Sequence, residues 1–289
     1  MTSEILPIFF TIVFDGIVMG GIYGLMALGL ALVLGVMYIW NFAHGQFLLL
    51  SGYIVLWLFT TSGGLNPFFT SPVPILALMA IGLFTYRFLI NPFTKFGIRQ
   101  YIVTSVYVCL GLGIVLESFM LLTWGTRYRG IPFSIEPASI MGFSTMRIIG
   151  LIVALSVLIF LHIALTKTYF GKALRAIIQD REAAASLGIN VDGISLLTFG
   201  ISAALAGAAG LIFSIIYYVN PVIGMSLTFK SFVIVMLGGL GTVMGILVAA
   251  FILGLAEALV GYFISTAYID TISLLVLIFA LGLGISKVK

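Results

Sequence analysis

Nine apolar runs, near residues 9–37, 46–60, 73–91, 101–124, 147–166, 194–219, 229–244, 246–264 and 270–286, fill most of this chain, with only short polar or turn-forming stretches between them. Each is close to the roughly 20 residues that a helix needs to cross the hydrocarbon of a bilayer. Within that hydrocarbon every backbone N–H and C=O must be paired internally, so the runs are expected to be helices. They are long and continuous, without period-2 alternation, which excludes a membrane β-barrel. The expected fold class is therefore all-α: a polytopic membrane helical bundle of about 8–10 transmembrane or re-entrant helices. Composition agrees. The chain has 289 residues, 62% hydrophobic and 8% charged, against about 25% charged in a soluble domain. That rules out a soluble enzyme, a secreted disulfide module and a disordered tail. Little sequence remains for a separate catalytic or nucleotide-binding domain of about 100–150 residues, so residues 1–289 are expected to form one transmembrane domain.

The formal charge of +4 is no sign of nucleic acid, because the 13 Lys and Arg are scattered between apolar runs. Their distribution orients the bundle instead. Arg87, Lys95, Arg99, Lys167, Lys172, Arg175, Arg181, Lys287 and Lys289 fall on one side, and Arg127, Arg129, Arg147 and Lys230 on the other. By the positive-inside rule the first group is cytoplasmic. Nine crossings then put the N-terminus outside and the C-terminus inside. The glycines at 238, 239, 241 and 245 interrupt the pattern of 227–264. A single crossing, or a pair of half-helices re-entering from one side, would put the C-terminal lysines outside, so two crossings are expected there. The N-terminal residues lack a basic n-region and a small-residue cleavage site, so the first run reads as a retained membrane helix.

Gly16, Gly20 and Gly24 share a helix face at four-residue spacing, as do Gly241 with Gly245, Ala203 with Gly207 and Ala206 with Gly210. Such faces let helix backbones approach closely in lipid. Packing within the bundle is favoured over a dedicated dimer face.

Several chemistries are absent from the sequence. The nearest approach to a phosphate loop, Gly171-Lys172, is followed by Ala173 and has no glycine at 166. His44 and His162 have no Cys or carboxylate at ligand spacing, so no metal or other cofactor is expected. The single Cys109 excludes an intrachain disulfide. No Ser, His and acid set can be assigned, and no catalytic residue is proposed.

Two segments stand out instead. Asn41-Phe42-Ala43-His44-Gly45-Gln46 is an uncharged polar cluster between the first two apolar runs. A turn held at membrane depth is tolerated only where it is buried in protein or lines a wet cavity. Two readings stand: Asn41 and His44 cap the flanking helices, or they line a solute path with Gln46. The second segment, 166–190, is the longest hydrophilic stretch on the expected cytoplasmic side. Good helix formers dominate 172–187, and Gly188 sits where a C-cap would. Leu174, Ile177, Ile178 and Ala184 or Ala185 share a side, with Lys172, Arg175, Gln179 and Glu182 opposite. Such a helix either lies in the headgroups or docks into a groove on a cytoplasmic partner.

Glu182-Ala183-Ala184, followed by Gly188, resembles the E-A-A-x-x-x-G loop of ABC-importer permeases. It occurs with Asn41–Gln46 after Gly29-Leu30-Ala31-Leu32-Val33-Leu34-Gly35, with Leu187-Gly188-Ile189-Asn190, and with Val235–Gly241 ahead of Gly254-Leu255-Ala256-Glu257-Ala258. In this order the chain is similar to the permease of the branched-chain amino acid ABC uptake system, from about Gly16 to Asp270. The resemblance implies a multi-pass subunit of the inner, cytoplasmic membrane that moves branched-chain amino acids without hydrolysing ATP itself. Its implied partners are an ATP-binding ABC subunit, a second homologous permease, an extracytoplasmic solute-binding protein and membrane lipid. The ATPase-docking loop would lie within 167–193, with Gly171, Arg175, Asp180, Glu182, Ala183 and Gly188 as its residues. Gln46 stands where the family often carries Glu, which leaves solute choice open, and the short end Ser286–Lys289 trims a cytoplasmic contact. Urea, short amides or another small solute are the alternatives within the class; a stand-alone secondary transporter is the alternative outside it.

Three acids lie within apolar runs: Asp15 and Glu117 near outer ends, Glu257 deeper. Interfacial placement is expected for the first two. A buried, hydrogen-bonded role is expected for Glu257, which also joins Asn41, His44 and Gln46 as a candidate for the path.

Overall fold

A computed structural model describes residues 2–133, 139–140, 143–240 and 242–282 of the chain. Gly241, Lys287 and Lys289 lie outside the described residues. Among the described residues each of the nine apolar runs contains a helix: α1 (Thr2–Met37), α2 (His44–Thr61), α3 (Pro72–Phe84), α4 (Ile98–Trp124), α5 (Thr145–Lys167), α8 (Val191–Ile216), α9 (Gly224–Gly238), α10 (Val243–Phe263) and α11 (Ile269–Gly282). Two short helices, α6 (Tyr169–Gln179) and α7 (Arg181–Ser186), join α5 to α8. A two-stranded hairpin, β1 (Ser139–Ile140) and β2 (Phe143–Ser144), precedes α5. Among the described residues, seven segments are long and apolar enough to cross a membrane, and α2 and α11 fall outside that set. Residues 227–264 divide between two of the seven.

A helix that is apolar all round belongs inside. Accordingly α1 and α8 form the centre with α2, and Ile22, Tyr23, Leu25, Met26 and Leu30 are inaccessible. The outer helices show apolar side chains to their surroundings, as on α4, where Tyr107, Ile114, Val115 and Leu122 are all well exposed. Only lipid or another apolar surface can cover such a face.

The small-residue face of α1 is used inside the bundle. A Cβ on Gly16 would come within 2.8 Å of the Leu255 Cα, and one on Gly20 within 2.8 Å of the Phe251 Cα. The backbones of α1 and α10 therefore touch along this face. Pro92 cannot continue α3, which loosens into a π turn over Thr85–Ile90 and a 3-10 turn over Asn91–Lys95.

The two ends of the bundle are chemically distinct. Tyr86 packs on Phe199, with ring centroids 6.2 Å apart, and Arg181 meets Asp192 at 3.9 Å. These contacts gather 85–99 and 167–192 at one end. Arg129 and Val219 pair through their backbones, the Asn220 Nδ2 donates to the Thr126 carbonyl at 2.7 Å, and Arg147 pairs with Asp15. Those residues mark the other end. One assignment needs correction. Lys230, counted with the outer side, lies within α9; it is only 6% exposed and is held by the buried Glu257 and by Asp270, whose side chain is 68% accessible. The orienting count among described residues becomes seven against three.

A topology test follows. On a Cys109→Ala background, an impermeant thiol reagent added outside is expected to label Arg129→Cys, with Lys95→Cys reacting only after permeabilisation. The reverse pattern would invert the bundle.

Candidate functional site

Between α1 and α2 the chain turns back into the bundle. Tyr38, just past α1, takes a left-handed φ of 55°, a conformation that costs a residue with a Cβ and normally falls to glycine or asparagine. His44, the first residue of α2, then hydrogen-bonds through Nε2 to the Met26 carbonyl at 2.9 Å. That carbonyl can only accept, so Nε2 carries the proton. At 1.5 Å per residue, Met26 lies roughly 16 Å up α1 from Met37. The start of α2 is therefore inside the protein and not at a membrane surface.

The polar groups there are sealed: Asn41, His44 and Gln46 are 1%, 0% and 2% exposed. The Asn41 Oδ1 accepts from the Ala43 amide at 3.1 Å, and the Gln46 Nε2 donates to Glu117 Oε2 at 3.0 Å across to α4. Capping by Asn41 and His44 is not what occurs. The N-cap of α2 is Ala43, without a side-chain bond, and the Gly45 amide is met instead by Thr228 Oγ1 of α9 at 2.9 Å. A Cβ on Gly45 would overlap the Gly224 carbonyl oxygen, so α2 and α9 meet backbone to backbone. The Asn41 Nδ2, His44 Nδ1 and Gln46 Oε1 have no hydrogen-bond partner in the protein. Each such atom left bare costs about 1–3 kcal/mol. Three of them fall in this one segment.

Glu257 does not join this group. It centres a second cluster that ties four helices. The Lys230 ammonium lies 3.1 Å from Glu257 Oε1 and 3.0 Å from Asp270 Oδ1. The Tyr23 hydroxyl donates to Glu257 Oε2 at 2.6 Å and accepts from Lys230 at 3.2 Å, while the Ser273 hydroxyl donates to Oε1 at 2.6 Å. Every lone-pair direction of the Glu257 carboxylate that faces the protein is thus committed. The buried, hydrogen-bonded role expected for Glu257 is what the geometry gives it. Tyr23, Thr228, Lys230 and Asp270 did not emerge as site residues from the sequence. Lys230 had a visible signal: a lone cation next to an apolar run, with an acid inside the following run.

At the basic end, the expected single helix over 172–187 is two helices broken at Asp180. The Asp180 backbone is extended, and its Oδ1 accepts from the Glu182 and Ala183 amides at 2.9 Å each. An aspartate at that position competes with helix continuation by capping the next one. Gly188, with φ +84°, closes α7: its amide bonds to Ala185 O and that of Ile189 to Ala184 O, a Schellman motif. Ala173, Leu174, Ile177 and Ala184 are buried on the bundle, but Ile178, expected with them, is 41% exposed. Gly171 packs on the Leu165 carbonyl and Arg175 hydrogen-bonds the same group, satisfying the last turn of α5. Of the six docking residues named from the sequence, Gly171, Arg175 and Asp180 build the scaffold. Glu182, Ala183 and Gly188 lie on its exposed outer side beside Leu187, which is 82% exposed.

The profile of the family described as branched-chain amino acid transport system, permease component, matches residues 12–281. The chain is 30% identical to the high-affinity branched-chain amino acid transport system permease protein LivH of Escherichia coli, over 96% of this chain and 94% of that one. It is 27% identical to the corresponding permease protein BraD of Pseudomonas aeruginosa, over 92% and 91%. Among solved structures, PsaBC from Streptococcus pneumoniae in complex with Fab matches with a TM-score of 0.50 at 13% identity, over 92% and 89% of the two chains. That last likeness speaks to the fold alone.

Proposed function

Because the chain belongs to the family of branched-chain amino acid transport permeases, we propose that it carries branched-chain amino acids inward across the inner membrane, driven by ATP hydrolysed on a separate subunit. The observation that carries this reading is the family match along 12–281. The 85–99 and 167–192 end is then cytoplasmic, and an ATP-binding subunit docks on α7. A second, homologous permease completes the membrane unit, and an extracytoplasmic solute-binding protein delivers solute at the opposite end.

Two features support the division of labour. The outer side of α7 offers one carboxylate, Glu182, beside Ala183, which adds no bulk, and the exposed Leu187. Its scaffold is fixed at both ends, by Asp180 and by the Gly188 motif, so a push from a partner would pass into α5 and α8 and not be absorbed by a loop. The unpartnered polar atoms of Asn41, His44 and Gln46, sealed in this state, suit a role along a solute path that opens to them during transport.

The test is ATPase stimulation by liganded solute-binding protein in reconstituted vesicles. Gly188→Val places a β-branched residue at positive φ, and Glu182→Lys reverses the exposed charge. Both variants are expected to insert normally, to lose most of the stimulation and to stop leucine uptake. Full stimulation in both would mean that α7 is only an interfacial loop.

A further inference from the structure

We infer that the cavity between α1, α5, α10 and α11 is a binding site for a free amino acid zwitterion, with Arg147 taking the carboxylate, Asp15 the ammonium and an apolar wall the side chain. The inference rests on the proposed function and assigns it a receiving site distinct from the Asn41–Gln46 segment.

The cavity measures about 490 Å³, within the range of small-molecule sites. Its wall is largely apolar, with Ile12 and Met19 from α1, Ala258 and Tyr262 from α10, and Ile269 from α11. Into it project the two members of one ion pair, Asp15 and Arg147, whose side chains keep 31% and 32% of their accessibility. This sets them apart from Lys230 and Glu257, which are 8% and 3% accessible and satisfied by neighbours. Glu257 also borders the cavity, but Tyr23, Lys230 and Ser273 already hold its oxygens.

An acid and a guanidinium side by side at an apolar cavity select for a ligand with both charges. A lone anion would compete with Asp15 for Arg147, and a lone cation would do the reverse. A zwitterion brings one partner for each and leaves the net charge of the site unchanged. The five donors of a guanidinium can serve Asp15 and a second carboxylate together. The space itself is made by α10: Gly254, Ala258 and Gly261 lie at successive turns of one face and line it. Beside it the backbones of Gly16 and Gly254 are in contact. The cavity lies at the end of the bundle marked by Arg147 and Asp15, opposite α7, which is the end that a solute-binding protein would face. An ethanolamine phospholipid headgroup has the same pair of charges, but two acyl chains do not fit in this volume.

The experiment uses the complete permease–ATPase complex in phosphatidylglycerol nanodiscs, without solute-binding protein, and radiolabelled L-leucine as the probe. Saturable binding is expected, displaced by unlabelled leucine far better than by 3-methylbutylamine or 4-methylpentanoate, which each lack one charge. Arg147→Gln and Asp15→Asn should weaken it by about tenfold or more. Ala258→Leu fills the cavity yet keeps the ion pair, and it should abolish binding in an assembled complex. If the pair merely staples α1 to α5, Ala258→Leu will bind leucine like wild type, and the inference falls. It also falls if wild type binds no leucine, or if phosphatidylethanolamine alone displaces it. Uptake by wild type with its solute-binding protein is scored separately. Failure there overturns the proposed function, whereas intact uptake with unchanged leucine binding in all variants overturns only this site.

Discussion

Replacing Lys230 by Met is expected to destabilise the bundle by about 3–5 kcal/mol, the typical cost of leaving a buried charge without its partner. The ammonium neutralises Glu257 inside the protein and reaches Asp270 on the neighbouring helix. Its removal leaves a carboxylate, 3% exposed, with only the hydroxyls of Tyr23 and Ser273. The loss is to be read as a lower midpoint of thermal unfolding in detergent. Lys230→Met with Glu257→Gln should recover a large part of it, because the double variant buries no net charge. A single variant within about 1 kcal/mol of wild type would mean that Asp270, and not Glu257, is the partner that matters.

Gly45→Ala is expected to abolish transport while the chain still inserts. The new methyl would overlap the Gly224 carbonyl, which belongs to backbone and cannot swing away. Parting α2 from α9 also breaks the bond from the Gly45 amide to Thr228. Overpacking of about 1–3 kcal/mol adds to about 1 kcal/mol for the hydrogen bond, and the polar segment loses its fixed position. Gly35→Ala is the matched control: the same methyl on α1 meets nothing within 4 Å and should be neutral or mildly stabilising. Uptake of labelled leucine, compared with the amount of assembled complex, separates the two variants. Equal transport in both would show that the α2–α9 contact is not needed.

Much of the architecture was legible because lipid makes a simple demand. An apolar run of about 20 residues in hydrocarbon has one solution, a helix, and each of the nine runs has a helix as its main part among the described residues. The basic residues sorted the ends correctly for 85–99 and 167–181 against Arg127, Arg129 and Arg147, since a charge at a helix end reports which end it is. Lys230 misled the same rule because it is not at an end. Sequence position cannot tell a snorkelling cation from one that meets a carboxylate 27 residues away. The segment proposed to dock the ATP-binding subunit was legible as a motif but not as a shape. Whether Asp180 continues a helix or caps the next depends on a balance of about 1 kcal/mol that α5 and α8 tip by holding α6 in place.

The sequence by itself determined the class, the number of apolar helices, the sense of the charge gradient and the family, because burial in lipid, net charge and motif order are properties of the chain read along its length. Only the tertiary structure decided that α2 starts beside Met26 deep in the bundle, that Thr228 caps it, that Glu257 answers Lys230, and that Asp15 and Arg147 face one cavity. Each of these joins residues far apart in sequence. Their partners are fixed by helix packing, where a missing Cβ at Gly16, Gly20 or Gly45 sets which backbones meet, and no local pattern encodes that choice.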